Sequence, residues 1–121
     1  MSKKLTAALI TASVAELPSG YITMPHPHLD GDINVKIHTV AEREEFEKKA
    51  YYSDSELKQY PQRAVTFAYA VVDDKGERLF TDEQIPEISK WPAYITVPVH
   101  LKYNELNNIG PEKIEAATKN S

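Results

Sequence analysis

The chain has 121 residues, with 14 lysines and arginines against 18 aspartates and glutamates, a formal net charge of -4, four histidines and no cysteine. That length suits one domain with a single modest core. Charge is spread evenly, with seven basic and nine acidic residues in 1–60 and the same numbers in 61–121, so no basic face is left for a nucleic-acid backbone, and the lack of cysteine excludes disulfides, thiolate catalysis and cysteine-ligated zinc while suiting a cytoplasmic protein.

Lys3-Lys4 followed by Leu5-Thr-Ala-Ala-Leu-Ile-Thr-Ala-Ser-Val-Ala15 imitates the basic and apolar regions of a secretory signal. Thr6, Thr11 and Ser13 interrupt the apolar run, and the same stretch reads as a helix over 1–17 capped by Ser2, with Leu5, Leu9, Val14 and Leu17 as candidate buried positions. No other segment approaches the ~18 consecutive apolar residues of a membrane helix, so no membrane partner is expected. Pro18-Ser19-Gly20 ends that helix. Tyr21–Pro25 and Ile33–Ile37 read as strands of a β-hairpin over 21–37, since Ile33, Val35 and Ile37 alternate with Asn34 and Lys36. Thr39 caps a helix from Val40 to Tyr51, with Phe46 and Ala50 on one side of a solvated Glu/Lys face.

Arg63–Val72 is the most hydrophobic stretch and belongs to the core, and its periodicity suits helix and strand alike. Asp73-Asp74-Lys75-Gly76 makes a turn, after which Leu79 and Phe80 fold back on the core. Thr81 with Gln84 forms a capping-box pattern ahead of inward-facing Ile85 and Ile88. Pro92 opens a helix that carries Tyr94, Ile95, Val99, Leu101 and Leu106 toward Asn107, and Pro98 should kink it or delay its start to about residue 98. Gly110 and Pro111 mark a helix stop and start, giving a short C-terminal helix over 111–119. Glu112, Glu115 and Lys119 complement its dipole, but about two turns are too few to hold alone, so it needs a partner. The fold class is α+β, mainly helical: a single domain over 1–121 with an N-terminal helix, a short hairpin and several C-terminal helices.

Candidate chemistry is thin. His26, His28, Asp30 and Asp32 fall within seven residues, a density that invites a metal reading. A His-x-His pair shares one face only in an extended strand, however, and Pro27 with Asp30-Gly31 makes this a solvated hairpin loop with no metal assigned. His38 and His100 are isolated surface or boundary residues. There is no Gly-x-Ser-x-Gly and no Gly-rich phosphate loop. Asp73-Asp74 and Glu42-Arg43-Glu44-Glu45 read as an exposed turn and a solvated helix face, because general acid/base work needs carboxylates partly desolvated in a cleft. No catalytic residue and no cofactor is assigned, and no enzyme activity is expected.

Several strings, taken in order, resemble the tail assembly chaperones of long-tailed (siphovirus-type) bacteriophages. They are Val35-Lys-Ile-His-Thr-Val-Ala-Glu-Arg-Glu-Glu-Phe46, Val72-Asp-Asp-Lys-Gly-Glu-Arg-Leu-Phe80, the Thr81-Asp82 helix start, and the ending from Leu106-Asn107 to Lys119-Asn120-Ser121. Pro98 and the Pro-His-Pro-His loop depart from the pattern. The resemblance implies a non-enzymatic protein of the host cytoplasm, absent from the mature virion, that coats the tape measure protein while tail tube subunits are recruited. It also implies a longer, frameshifted form that contacts the major tail tube protein. Self-association stays open. A tape measure exposes apolar stripes, so its chaperone needs a reversible apolar surface. The candidate partner-binding residues are Trp91, Tyr94, Ile95, Val99, Leu101, Tyr103 and Leu106, which read equally as core. The other readings of the chain are a small soluble adaptor or immunity-type binding protein, a secreted binding module, and a small metalloprotein built on His26 and His28.

Overall fold

The computed structural model describes residues 4–51 and 56–109. Within them the chain forms α1 (Ala7–Ala15), β1 (Gly20–Pro25), β2 (Asp32–Ile37), α2 (Val40–Tyr51), α3 (Gln62–Ala70), β3 (Val71–Val72), α4 (Ile85–Ile88) and α5 (Ala93–Asn104). Short 3₁₀ turns at Glu56–Gln59 and Asp82–Gln84 and a π turn at Glu105–Ile109 complete it. This is the mainly helical α+β domain the patterning implies. The expected C-terminal helix over 111–119 lies outside the described residues.

The sheet is antiparallel in the order β1-β2-β3. Its register sets Ile22 opposite Val35 and Met24 opposite Ile33 in the hairpin, and Val35 opposite Val71 at its centre. Directly opposed residues share a face, so Ile22, Met24, Ile33, Val35 and Ile37 make one apolar side, with Val35 completely buried. The other side is polar and tied to the turn after β3. Tyr21 Oη donates to the Asp74 carbonyl at 2.9 Å and Asn34 Nδ2 to Asp74 Oδ1 at 3.1 Å. In that turn Asp73 Oδ1 accepts the N–H groups of Lys75 and Glu77, and Gly76 takes a φ of +82°, a conformation that disfavours any residue with a Cβ.

Residues 63–72 resolve their own ambiguity by using both periods. They are helical through Ala70, where Ala64, Val65, Phe67 and Ala68 are buried, and then extended at Val71–Val72 to close the sheet. Helix α3 is the central strut, packed against α5, α4, α2 and β2. Two aromatic groups fill the spaces around it. Phe46 lies 5.5 Å from Tyr103 and 5.6 Å from Tyr69 between ring centroids, while Phe67, Phe80 and Trp91 form a triad with spacings of 5.5–5.8 Å.

The caps at Thr39 and Thr81 form as expected. Thr39 Oγ1 accepts the Glu42 N–H and Glu42 Oε1 accepts the Thr39 N–H, and Gln84 Oε1 accepts the Thr81 N–H at 2.8 Å. Ile85 and Ile88 are buried, as are Phe46 and Ala50.

Four local expectations are corrected. The first helix is capped by Thr6, whose Oγ1 accepts from Leu9 N–H, and not by Ser2, which lies outside the described residues. That helix buries none of its residues: Leu5, Val14 and Leu17 are exposed and Leu9 is half-buried, because α3, α5 and the hairpin close the core without it. Of the pair expected to fold back after the turn, Phe80 packs on the core and Leu79 stays 53% exposed. Of the two outcomes expected of Pro98, the delayed start does not occur: helix α5 begins at Ala93 and continues past Pro98, since burial of Thr96, Val99 and Tyr103 outweighs the ~3 kcal/mol that an interior proline costs.

Candidate partner-binding groove

The hairpin tip is where loop chemistry meets the helices. His26 is buried at 4% exposure, so the loop is not simply solvated. Its Nε2 lies 2.8 Å from the Ile95 carbonyl and its Nδ1 3.1 Å from the His28 N–H. A carbonyl only accepts and an N–H only donates, so Nε2 carries the proton and Nδ1 the lone pair. Both ring nitrogens are engaged within the chain, which gives His26 a tethering role. Pro98 has no N–H to donate to the Tyr94 carbonyl, so the helix ladder is interrupted one residue before Ile95. The His28 ring packs on Tyr94 at 4.6 Å between centroids. Among the described residues no group of three or more histidine, aspartate or glutamate side chains comes close enough to hold a metal ion.

Tethering the loop to α5 leaves an open groove of about 560 Å³ between the hairpin tip, the end of α3, the Leu79-Phe80 segment and the start of α5. Its floor is Ile33, Phe67, Val71 and Phe80, its walls are Trp91 and Ile95, and Leu29 and Leu79 stand at its mouth. Leu29 is 48% exposed. Asp30 and Asp32 lie on the rim, and neither forms an ion pair among the described residues. A larger notch of about 640 Å³ lies beside α2, but Glu45, Lys48, Lys49, Glu56, Asp82 and Glu83 line it, and such a surface is satisfied by water.

The seven candidate partner-binding residues divide sharply. Trp91 and Ile95 line the groove and Tyr94 is exposed beside it. Leu101 is also exposed. Val99 and Tyr103, on the side of α5 that packs on α3 and against Phe46 of α2, and Leu106, in the π turn that follows, are buried, so they belong to the core of the isolated chain. Sequence reading missed Leu29, Ile33, Phe67, Leu79 and Phe80, which reach the groove from separate segments. The signal that was there is the pair Leu29 and Leu79, lone large apolar residues in otherwise polar turns.

Behind the groove, polar networks hold the scaffold. Asn107 joins the end of α5 to the end of β2. Its Oδ1 accepts the His38 N–H at 2.7 Å, and its Nδ2 donates to the carbonyls of Lys36 and Tyr103. His38 Nδ1 lies 2.8 Å from Tyr103 Oη. Burial lowers the His38 pKa below the ordinary imidazole value, and the nearby Glu42 carboxylate only partly offsets it. Burial also lowers His100, with Arg63 adding to the effect, and pushes Tyr103 up. For Glu42 burial favours the neutral acid, but the Thr39 N–H and the Lys36 ammonium outweigh it and hold the carboxyl below its usual range. Arg78 stacks 3.8 Å above the Tyr69 ring and pairs with Asp82 at 2.9 Å; burial and the Asp82 hydrogen bond push the Tyr69 hydroxyl up to about 12.

Compared with protein-family models, curated proteins and solved structures, the chain matches none of them. No helix among the described residues is long and apolar enough to cross a membrane.

Proposed function

We propose that this chain is a non-catalytic binding domain that covers apolar helical segments of another protein. The observation that carries this reading is the groove, which offers a tethered, rigid wall and a mouth marked by two exposed leucines. A helix laid in such a groove buries its i, i+3 and i+4 residues, and rigid aromatic side chains such as Trp91 and Phe80 make effective anchors. The four excess acidic charges keep the remaining surface soluble.

Within that class, the sequence strings favour a tail assembly chaperone of a long-tailed bacteriophage. Its partner is the tape measure protein, whose apolar stripes it shields in the host cytoplasm, and a longer frameshifted form recruits the major tail tube protein. The test is co-expression with the tape measure protein of a long-tailed bacteriophage. The wild-type chain keeps the tape measure soluble and co-purifies with it, while Leu79→Asp, at an exposed position, folds normally and loses both effects. A tape measure that aggregates equally with and without the chain overturns the chaperone reading. Capture of some other helical protein through the same groove leaves the adaptor reading in its place.

A further inference from the structure

We infer that the groove selects helices carrying lysine or arginine beside their apolar stripe, and that Asp30 and Asp32 receive those cations. The inference rests on the binding role proposed for the groove and adds the chemistry of the segment that enters it.

The charge of the groove is one-sided. Asp30 and Asp32 flank Gly31 at the hairpin tip, and both are exposed. Among the described residues no lysine or arginine lines the groove, and the sides made by Leu79-Phe80 and Trp91-Pro92 are apolar. His26, the imidazole in the lining, has both ring nitrogens engaged within the chain.

Neither carboxylate is used by the fold. A turn aspartate ordinarily accepts nearby backbone N–H groups, as Asp73 does from Lys75 and Glu77. Asp74 accepts from Asn34, and Asp82 pairs with Arg78. Asp30 and Asp32 have no side-chain hydrogen bond and no ion pair among the described residues. The hairpin loop closes without them, through backbone bonds from His26 N–H to the Gly31 carbonyl and from Gly31 N–H to the Leu29 carbonyl. What they leave is a negative rim on one side of an apolar floor.

A basic helix suits that rim. Lysine and arginine lay their apolar stems along hydrophobic surface and keep the charged head in water, so a helix can hold its leucines on the floor while its cations reach the hairpin tip. A neutral helix fills the floor and leaves the carboxylates to water. An acidic one meets like charge, which rejects it. Because the carboxylates are exposed, each pair adds little affinity and is screened by salt, so the rim sets the choice of partner and the rate of encounter more than the strength of binding.

The test titrates the full chain with three tryptophan-free helical peptides, following Trp91 emission. They share leucines at i, i+3, i+4 and i+7 and differ at two flanking positions, which hold lysine, glutamine or glutamate, residues of similar helix propensity. The lysine peptide should bind about fivefold more tightly than the glutamine peptide at low salt, with the glutamate peptide weakest. Asp30→Asn with Asp32→Asn, which keeps turn-forming residues and breaks no hydrogen bond, should erase that ranking. Raising the salt to about 0.5 M should erase it in the wild type without any substitution. Three peptides that bind the wild type alike overturn the inference and leave the groove reading standing. A ranking that persists in the double variant overturns it as well, since the net charge of the whole chain then makes the choice. If none of the peptides moves Trp91 emission, the groove reading falls and this inference with it.

Discussion

Asn107 shows how much one side chain outside regular structure can do. It satisfies a donor on His38 and the carbonyls of Lys36 and Tyr103, so Asn107→Ala leaves buried polar groups unpaired and should cost about 1–3 kcal/mol, read as a fall in the denaturant midpoint without a change in slope. His38 adds a pH dependence. Its folded pKa is depressed by burial, so the unfolded chain binds the proton first, and stability is complete above the ordinary value of 6.5 and is lost as pH falls below it toward the folded value. His100, depressed for the same reason, acts in the same direction, and Glu42 adds its loss only below about 4.5. The melting temperature should drop between pH 7 and pH 5, and His38→Gln should flatten that slope; a melting temperature constant over the interval contradicts the burial of both rings. Neither role was legible in the chain. His38 and Asn107 lie 69 positions apart, and nothing local marks a residue whose partners all come from another segment.

At the scale of elements, the sequence was readable where signals are local. The Thr39 cap, the Thr81–Gln84 pair, the Asp73–Gly76 turn and the alternation of Ile33, Val35 and Ile37 all depend on neighbours within a few residues, and all appear. Readability failed where tertiary packing decided. Leu5, Val14 and Leu17 follow a buried pattern yet meet no core, and Pro98 sits inside a helix that packing holds together. The groove falls in this second group, since it exists only because the hairpin loop is tied to α5 through His26. His26→Ala removes that tie and leaves the Ile95 carbonyl without its donor, at a cost of about 2 kcal/mol. Backbone hydrogen exchange should rise through residues 26–31 while α3 stays protected, and uniform exchange across both regions contradicts a local tether.

For the whole molecule, the division of apolar surface is the organising fact. Among the described residues one core, built on α3, closes with the hairpin, α2, α4 and α5, and it leaves the groove and α1 as apolar features outside it. A domain whose only task is to fold gains nothing from either. Trp91 is the one tryptophan of the chain and it lines the groove, so its emission reports directly on what enters there. The most direct measurement is therefore a titration of the wild-type chain with tryptophan-free apolar helical segments of the proposed partner, a tape measure protein, following Trp91 fluorescence. The account predicts a saturable blue shift that Leu79→Asp abolishes. Segments that bind without moving Trp91 emission, or that shift it equally in Leu79→Asp, contradict the groove as the binding site.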